Sequence, residues 1–200
     1  MGTWAVVPVN NLKTGKSRLA TVLSQEERES LSRYLLIRTL QVLAHAPDIE
    51  RTLVVSRDPT VMQLAYQYGA YTVKERCVSD LNKALHQATE VAASLGAGSV
   101  LVIPTDLPLL QSRDITVLTE ANRSGEWMVL APDCHGEGTN ALFVQPPGLI
   151  KYNFGPRSLQ AHTEQAETKG LELRICHLPG TQFDVDVPED LERLRGVKSI

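Results

Sequence analysis

Val100-Leu101-Val102-Ile103-Pro104-Thr105-Asp106-Leu107-Pro108 is an unbroken apolar run that ends in a proline-bracketed carboxylate. A short run without alternation reads as a strand buried on both faces, as a parallel sheet covered by helices requires. Thr3 to Val9 (TWAVVPV) and Thr52 to Ser56 (TLVVS) repeat the pattern upstream. Between them the chain reads as a helix that opens on Ser24 with Glu27 three residues on, a capping box. Its apolar stripe takes in Leu31, Tyr34, Leu35, Leu40 and Leu43. Val61 to Tyr68 reads as a shorter helix closed by Gly69, and Ala70 to Lys74 as a third strand. Asp80 to Leu95 presents Leu81, Ala84, Leu85, Ala88, Val91 and Leu95 on one face before Gly96, a strong helix.

Past the opening run a further helix is expected from about Asp114 to Asn122. Trp127 to Ala131 and Ala141 to Val144 then read as strands around a glycine-rich loop. Leu159 to Lys169 reads as a helix and Leu171 to Leu178 as an edge strand. The alternation predicts an α/β three-layer sandwich around a mixed, mostly parallel sheet, as one domain over residues 1–200. In such sheets ligands bind beyond the carboxyl ends of the strands.

Composition narrows the class. With 42% apolar and 22% charged residues and a net charge of −3, the chain has no broad basic surface for nucleic acid or membrane. Cys77, Cys134 and Cys176 are odd in number and form no CxxC pair, so they read as free thiols in a reducing compartment. The first residues enter a strand with no basic leader, and no apolar run reaches membrane-spanning length, so a cytoplasmic location is expected. Oligomeric state is not legible, and a homo-oligomer stays open.

Two acidic segments carry the chemistry. In Phe183-Asp184-Val185-Asp186-Val187-Pro188, alternation sends the apolar side chains to one face and both carboxylates to the other. Two aligned negative charges call for a cation. Pro188 suits the first turn of a helix, with Glu189 and Asp190 near its positive end. Asp106 follows a buried strand, where a Mg²⁺ ligand sits in nucleotide-binding α/β enzymes. The competing reading makes it the N-cap of the next helix, but that helix begins later, near Ser112.

The loop leaving the first strand holds Lys13, Lys16 and Arg18. Gly15-Lys16-Ser17 copies the end of a P-loop, but Asn10 stands where the motif needs glycine, so a looser triphosphate site is expected. Gly136 to Asn140 and Phe154 to Ser158 are glycine-containing turns with hydroxyl donors Thr139 and Ser158. Ser158 opens a helix whose free N–H groups favour an anion. The five histidines show no metal-ligand spacing, and His162, one turn from Ser158, is expected at the surface.

Lys13–Leu19, Leu81–Leu85, Pro104–Leu109, Gly138–Leu142, Phe154–Ser158 and Phe183–Leu191, in that order, resemble the 2-phospho-L-lactate guanylyltransferases of coenzyme F420 biosynthesis. That family includes bacterial members that use phosphoenolpyruvate. The resemblance spans essentially the whole chain and implies a nucleotidyltransferase fold of the glycosyltransferase-A type. It implies that Asp106, Asp184 and Asp186 bind Mg²⁺, and that Thr139, Gly155 and Ser158 hold a phosphorylated three-carbon acid. It places Lys13, Lys16 and Arg18 at the nucleotide phosphates and Asn82 near the base. Glu137 stands where family loops often carry glycine. The implied reaction is attack of the acid's phosphate on the α-phosphorus of GTP, with pyrophosphate leaving. GTP, and the choice among 2-phospholactate, phosphoenolpyruvate and 3-phosphoglycerate, come from the resemblance alone. A non-catalytic nucleotide sensor and a P-loop-type kinase are the alternatives.

Overall fold

The computed structural model describes residues 2–76, 80–120 and 125–197. In chain order it contains β1 (Thr3–Pro8), a 3-10 helix (Ser17–Thr21), α1 (Gln25–Ala44), β2 (Ile49–Ser56), α2 (Pro59–Gln67), β3 (Tyr71–Lys74) and α3 (Leu81–Ser94). There follow β4 (Ser99–Val102), α4 (Ser112–Thr119), β5 (Trp127–Pro132), β6 (Thr139–Gln145), α5 (Ser158–Lys169), β7 (Glu172–Ile175), the four-residue α6 (Pro179–Gln182) and α7 (Pro188–Val197).

Seven strands form one sheet in the order β3-β2-β1-β4-β6-β5-β7. All neighbours are parallel except β6, which runs antiparallel to both β4 and β5. The continuous apolar strands feed both faces. Ala5, Val7, Val54, Leu101 and Phe143 pack with Leu36, Leu40, Val61, Ile115 and Leu118 of α1, α2 and α4. Trp4, Val6, Leu53, Val100 and Leu142 pack on the other side with Leu85, Ala88 and Ala166 of α3 and α5. The expected three-layer sandwich is therefore present.

Ser24 caps α1 through both reciprocal bonds of the capping box. Its buried stripe differs in detail, since Leu36 is inside while Tyr34 is 47% exposed. In α3 the end residues Leu81 and Leu95 are exposed, and Thr89 and Ala92 fill the buried face instead. α4 begins at Ser112, with Asp114 as the reciprocal cap of Gln111; the Ala121 and Asn122 expected to end it lie outside the described residues. Cys134 and Cys176 are free thiols, and Cys77 lies outside the described residues. Among the described residues no helix is long and apolar enough to cross a membrane.

From β1 the chain moves outward through β2 to β3, then returns to place β4 on the other side of β1. This reversal opens a crevice beyond the carboxyl ends of β1 and β4. The β1 loop and Asp106 both enter that crevice.

Candidate active site

The loop after β1 is built by Asn11 and Asp58. The Asn11 side-chain oxygen accepts from the N–H of Lys13 and Thr14, and its carbonyl accepts from Gly15 N–H. Asp58, the buried N-cap of α2, accepts from Leu12 N–H at 3.1 Å. Lys16 then takes a left-handed backbone conformation (φ 52°, ψ 39°), a costly state for a residue with a Cβ. It opens a five-residue 3-10 helix, not the α-helix a P-loop needs. The turn sends the Lys16 side chain inward.

Lys16 Nζ lies 3.0 Å from Asp106 Oδ2 and 3.0 Å from Asp186 Oδ1. The cation called for by the acidic segments is thus supplied, in this structure, by the chain itself. Burial lowers the Lys16 pKa, but the charges and hydrogen bonds of Asp106 and Asp186 outweigh it, and the net shift is upward. Arg18 approaches Asp186 at 3.6 Å from a 73%-exposed position at the rim. Lys13 is exposed and borders an outer groove with Ser24, Gln25, Glu26 and Glu29, away from the carboxylates.

The segment 183–187 is not a sheet strand. One main-chain bond, from Val185 N–H to the carbonyl of Asp106 (3.0 Å), brings the remote acidic segments together. The buried Val185 side chain packs with Leu19 and Leu194 in a small separate cluster. Asp190, in the first turn of α7, accepts from Asp186 and Val187 N–H and fixes the turn. Asp184 is reached by Asn140 Nδ2 at 3.4 Å. Burial, and then the Asp106 charge, hold its carboxyl above the usual carboxylate range, with Asp186 adding a smaller push. Among the described residues no three His, Cys, Asp or Glu side chains are arranged to hold a metal ion. Asp106 does not cap α4; Gln111 does.

Two cavities share the crevice. One of about 280 Å³ runs past Asn10, Asn11, Lys16, Leu81, Thr105, Asp106 and Asp186. The other, about 440 Å³, extends from Asn10, Asn11, Gly15 and Lys16 to Arg57 and Glu75 at the ends of β2 and β3.

The glycine-containing turns meet at the start of β6. Ser158 Oγ accepts from Thr139 N–H at 2.8 Å, and Thr139 Oγ1 lies 3.1 Å from His162 Nδ1. His162 is fully buried, not at the surface as expected, because Ser158, His162 and Ala166 form the inward stripe of α5. Its Nε2 accepts from Asn153 N–H at 3.0 Å, so the neutral ring carries its proton on Nδ1 and donates to Thr139. That leaves the Thr139 hydroxyl proton for another acceptor. Two of the N–H groups expected to be free at the start of α5 are spent: Ser158 donates to the Gly155 carbonyl and Leu159 to that of Glu137. Gly155, at φ +132°, occupies backbone space that favours glycine. Asn82 holds the Phe154 main chain on both sides, so its amide is already committed to this turn.

Burial pushes the His162 pKa down to about 4. The neutral ring therefore contributes stability that is complete above about pH 6.5 and lost as pH falls through about 4. Up to about 3 kcal/mol should disappear across that window. Denaturant unfolding from pH 7 to pH 4 tests this against His162→Asn, which should be weaker at pH 7 with a shallower acid slope. Equal slopes would refute it.

Asn140, Arg57 and Glu75 are site residues the sequence reading did not select. Asn140 stood inside a quoted motif, and strand alternation beside Thr139 was the available signal. Arg57 and Glu75 carried only their places just after two strands.

A basic loop after the first strand, faced across the switch point by carboxylates, defines a nucleotidyltransferase architecture. A nucleotidyl transferase from Methanothermobacter thermautotrophicus has the same fold, with a TM-score of 0.72 at 14% identity over 100% of this chain and 99% of that one. The family described as "Guanylyl transferase CofC like" matches residues 3–195, and the chain belongs to it. It is 40% identical to a phosphoenolpyruvate guanylyltransferase of Rubrobacter xylanophilus, over 97% of this chain and 94% of that protein. It is 34% identical to the 2-phospho-L-lactate guanylyltransferase of M. thermautotrophicus, over 96% and 83%. The chain is accordingly a nucleotidyltransferase, and neither the sensor nor the kinase reading retains support.

Proposed function

We propose that this enzyme transfers GMP from GTP to the phosphate of phosphoenolpyruvate, as a step toward coenzyme F420. The observation that carries the reading is the Val185–Asp106 main-chain bond, which brings the two acidic segments together, with Asp106 and Asp186 on Lys16 and Asp184 within reach of the Asp106 charge. Relatives named for phosphoenolpyruvate, at 40% and 39% identity, support that acceptor over 2-phospholactate and 3-phosphoglycerate.

The acceptor phosphate is ionised at neutral pH, so no protein base is needed. Its oxygen forms a bond to the α-phosphorus of GTP while the bond from that phosphorus to the bridging oxygen breaks, and pyrophosphate carries away the electron pair. Lys16 is placed to neutralise charge that accumulates on the α-phosphate, and Arg18 to do so from the rim. Asp106, Asp184 and Asp186 offer the hard oxygen donors Mg²⁺ takes, and Asp106 and Asp184 stand close enough to repel one another. Bound there, Mg²⁺ would supply Lewis-acid stabilisation of the phosphate oxygens. Thr139 and Ser158 hydroxyls donate to the acid, Gly155 lets the main chain approach it, and Asn82 positions the turn that carries Gly155.

The test offers GTP and Mg²⁺ with each of the three acids and reads product mass and pyrophosphate. Phosphoenolpyruvate should give the guanylylated product, with EDTA abolishing it. A nucleoside diphosphate as leaving product, or turnover with neither acid nor metal, would end the proposal.

A further inference from the structure

Arg57 and Glu75 line the larger cavity but have no part in the chemistry described above. They are neighbours by register: β2 and β3 are parallel with Ser56 opposite Lys74, and Glu75 N–H extends the ladder to the Ser56 carbonyl at 3.0 Å. Arg57 is exposed and Glu75 half-buried. Among the described residues neither side chain has a hydrogen bond or ion pair, with one another or with anything else. A cation and a carboxylate standing side by side unpaired, at the wall of a cavity, are set for a ligand with adjacent acceptor and donor edges.

The cavity runs outward from Lys16 and Gly15 past Asn10 and Asn11. A nucleotide with its phosphates at Lys16 would reach this wall with its base. We propose that Glu75 reads guanine, its two carboxylate oxygens accepting from N1–H and the 2-amino group, while Arg57 donates to O6. The inference rests on GTP being the nucleotide donor. Guanine is the common purine whose edge presents two adjacent donors beside a carbonyl acceptor. Adenine would set the N1 lone pair against the carboxylate and its 6-amino group against the guanidinium. Against adenine both side chains would face a like partner, donor to donor and acceptor to acceptor, and at this half-exposed wall that mismatch sets the discrimination.

The experiment compares GTP, ITP and XTP as substrates for the full chain and for Glu75→Gln, at saturating phosphoenolpyruvate. ITP keeps N1–H but lacks the 2-amino group, and XTP carries a carbonyl there. The native enzyme should favour GTP over ITP by about tenfold and use XTP poorly. In Glu75→Gln the amide donates to the xanthine carbonyl. Its kcat/KM for GTP should fall about ten- to hundredfold while that for XTP rises, chiefly through KM. A gain with XTP cannot arise from misfolding. Calorimetric binding of GDP, IDP and XDP to both proteins provides a second measure independent of turnover. If the variant keeps the native ranking of the three bases in binding and in turnover, the assignment of Glu75 is wrong. If the native enzyme releases no pyrophosphate from GTP with any acid, the functional reading fails instead, and the binding ranking still decides Glu75.

Discussion

Asp106→Asn should lower pyrophosphate release by about 10²–10³-fold while the protein remains folded. The carboxylate stands 3.0 Å from Lys16 and pushes on the charge of Asp184, so it helps create the field in which the phosphates are held. An amide keeps an acceptor for the ammonium but removes the charge, and losing one electrostatic contact at the reacting phosphates costs about 3 kcal/mol of transition-state stabilisation. Folding should be spared or slightly favoured, because the repulsion that raises the Asp184 pKa is relieved. Thermal unfolding and a pyrophosphate assay on the same preparation separate the two. Substantial activity in the variant, or collapse of the fold, would contradict this account.

Lys16 gives the second large effect, and there charge and backbone can be separated. Replacement by Ala or by Gly removes the cation, and either should cut activity by about 10²-fold or more. Stability should distinguish the two. At φ 52° an alanine keeps the Cβ penalty and a glycine does not, so Lys16→Gly should be more stable than Lys16→Ala by about 1 kcal/mol. Equal stabilities would mean that the left-handed turn is absent. The ion pairs themselves contribute modestly, because Asp186 is 43% exposed and solvent screens it. The folded lysine pKa lies above the ordinary 10.5, so this contribution is complete below that value and fades as pH climbs through the higher one. The alkaline loss should be present in the native protein and missing from both variants.

The strands were legible because burial on both faces leaves unbroken apolar runs, and the first helix because Ser24 and Glu27 mark its start. Asp106 stood out because charge directly after an apolar run has few structural explanations, and Asp184 and Asp186 because alternation with Phe183, Val185 and Val187 sets both on one face. Lys16 was read as a phosphate ligand; its bridge between Asp106 and Asp186 needed the left-handed turn, which no local signal announces in a non-glycine residue. His162 was misplaced because the buried stripe of α5 is Ser, His and Ala, too polar to show an apolar period. The two hydrogen bonds between the Asn82 amide and the Phe154 main chain join residues 72 positions apart, a distance over which spacing carries no information.

The small cluster of Leu19, Val185 and Leu194 joins the loop that follows the first strand to the final helix. Fraying of the stretch from Val185 to Leu194 would therefore be felt at Lys16, because Leu19, three residues on, would lose the valine and leucine it rests on.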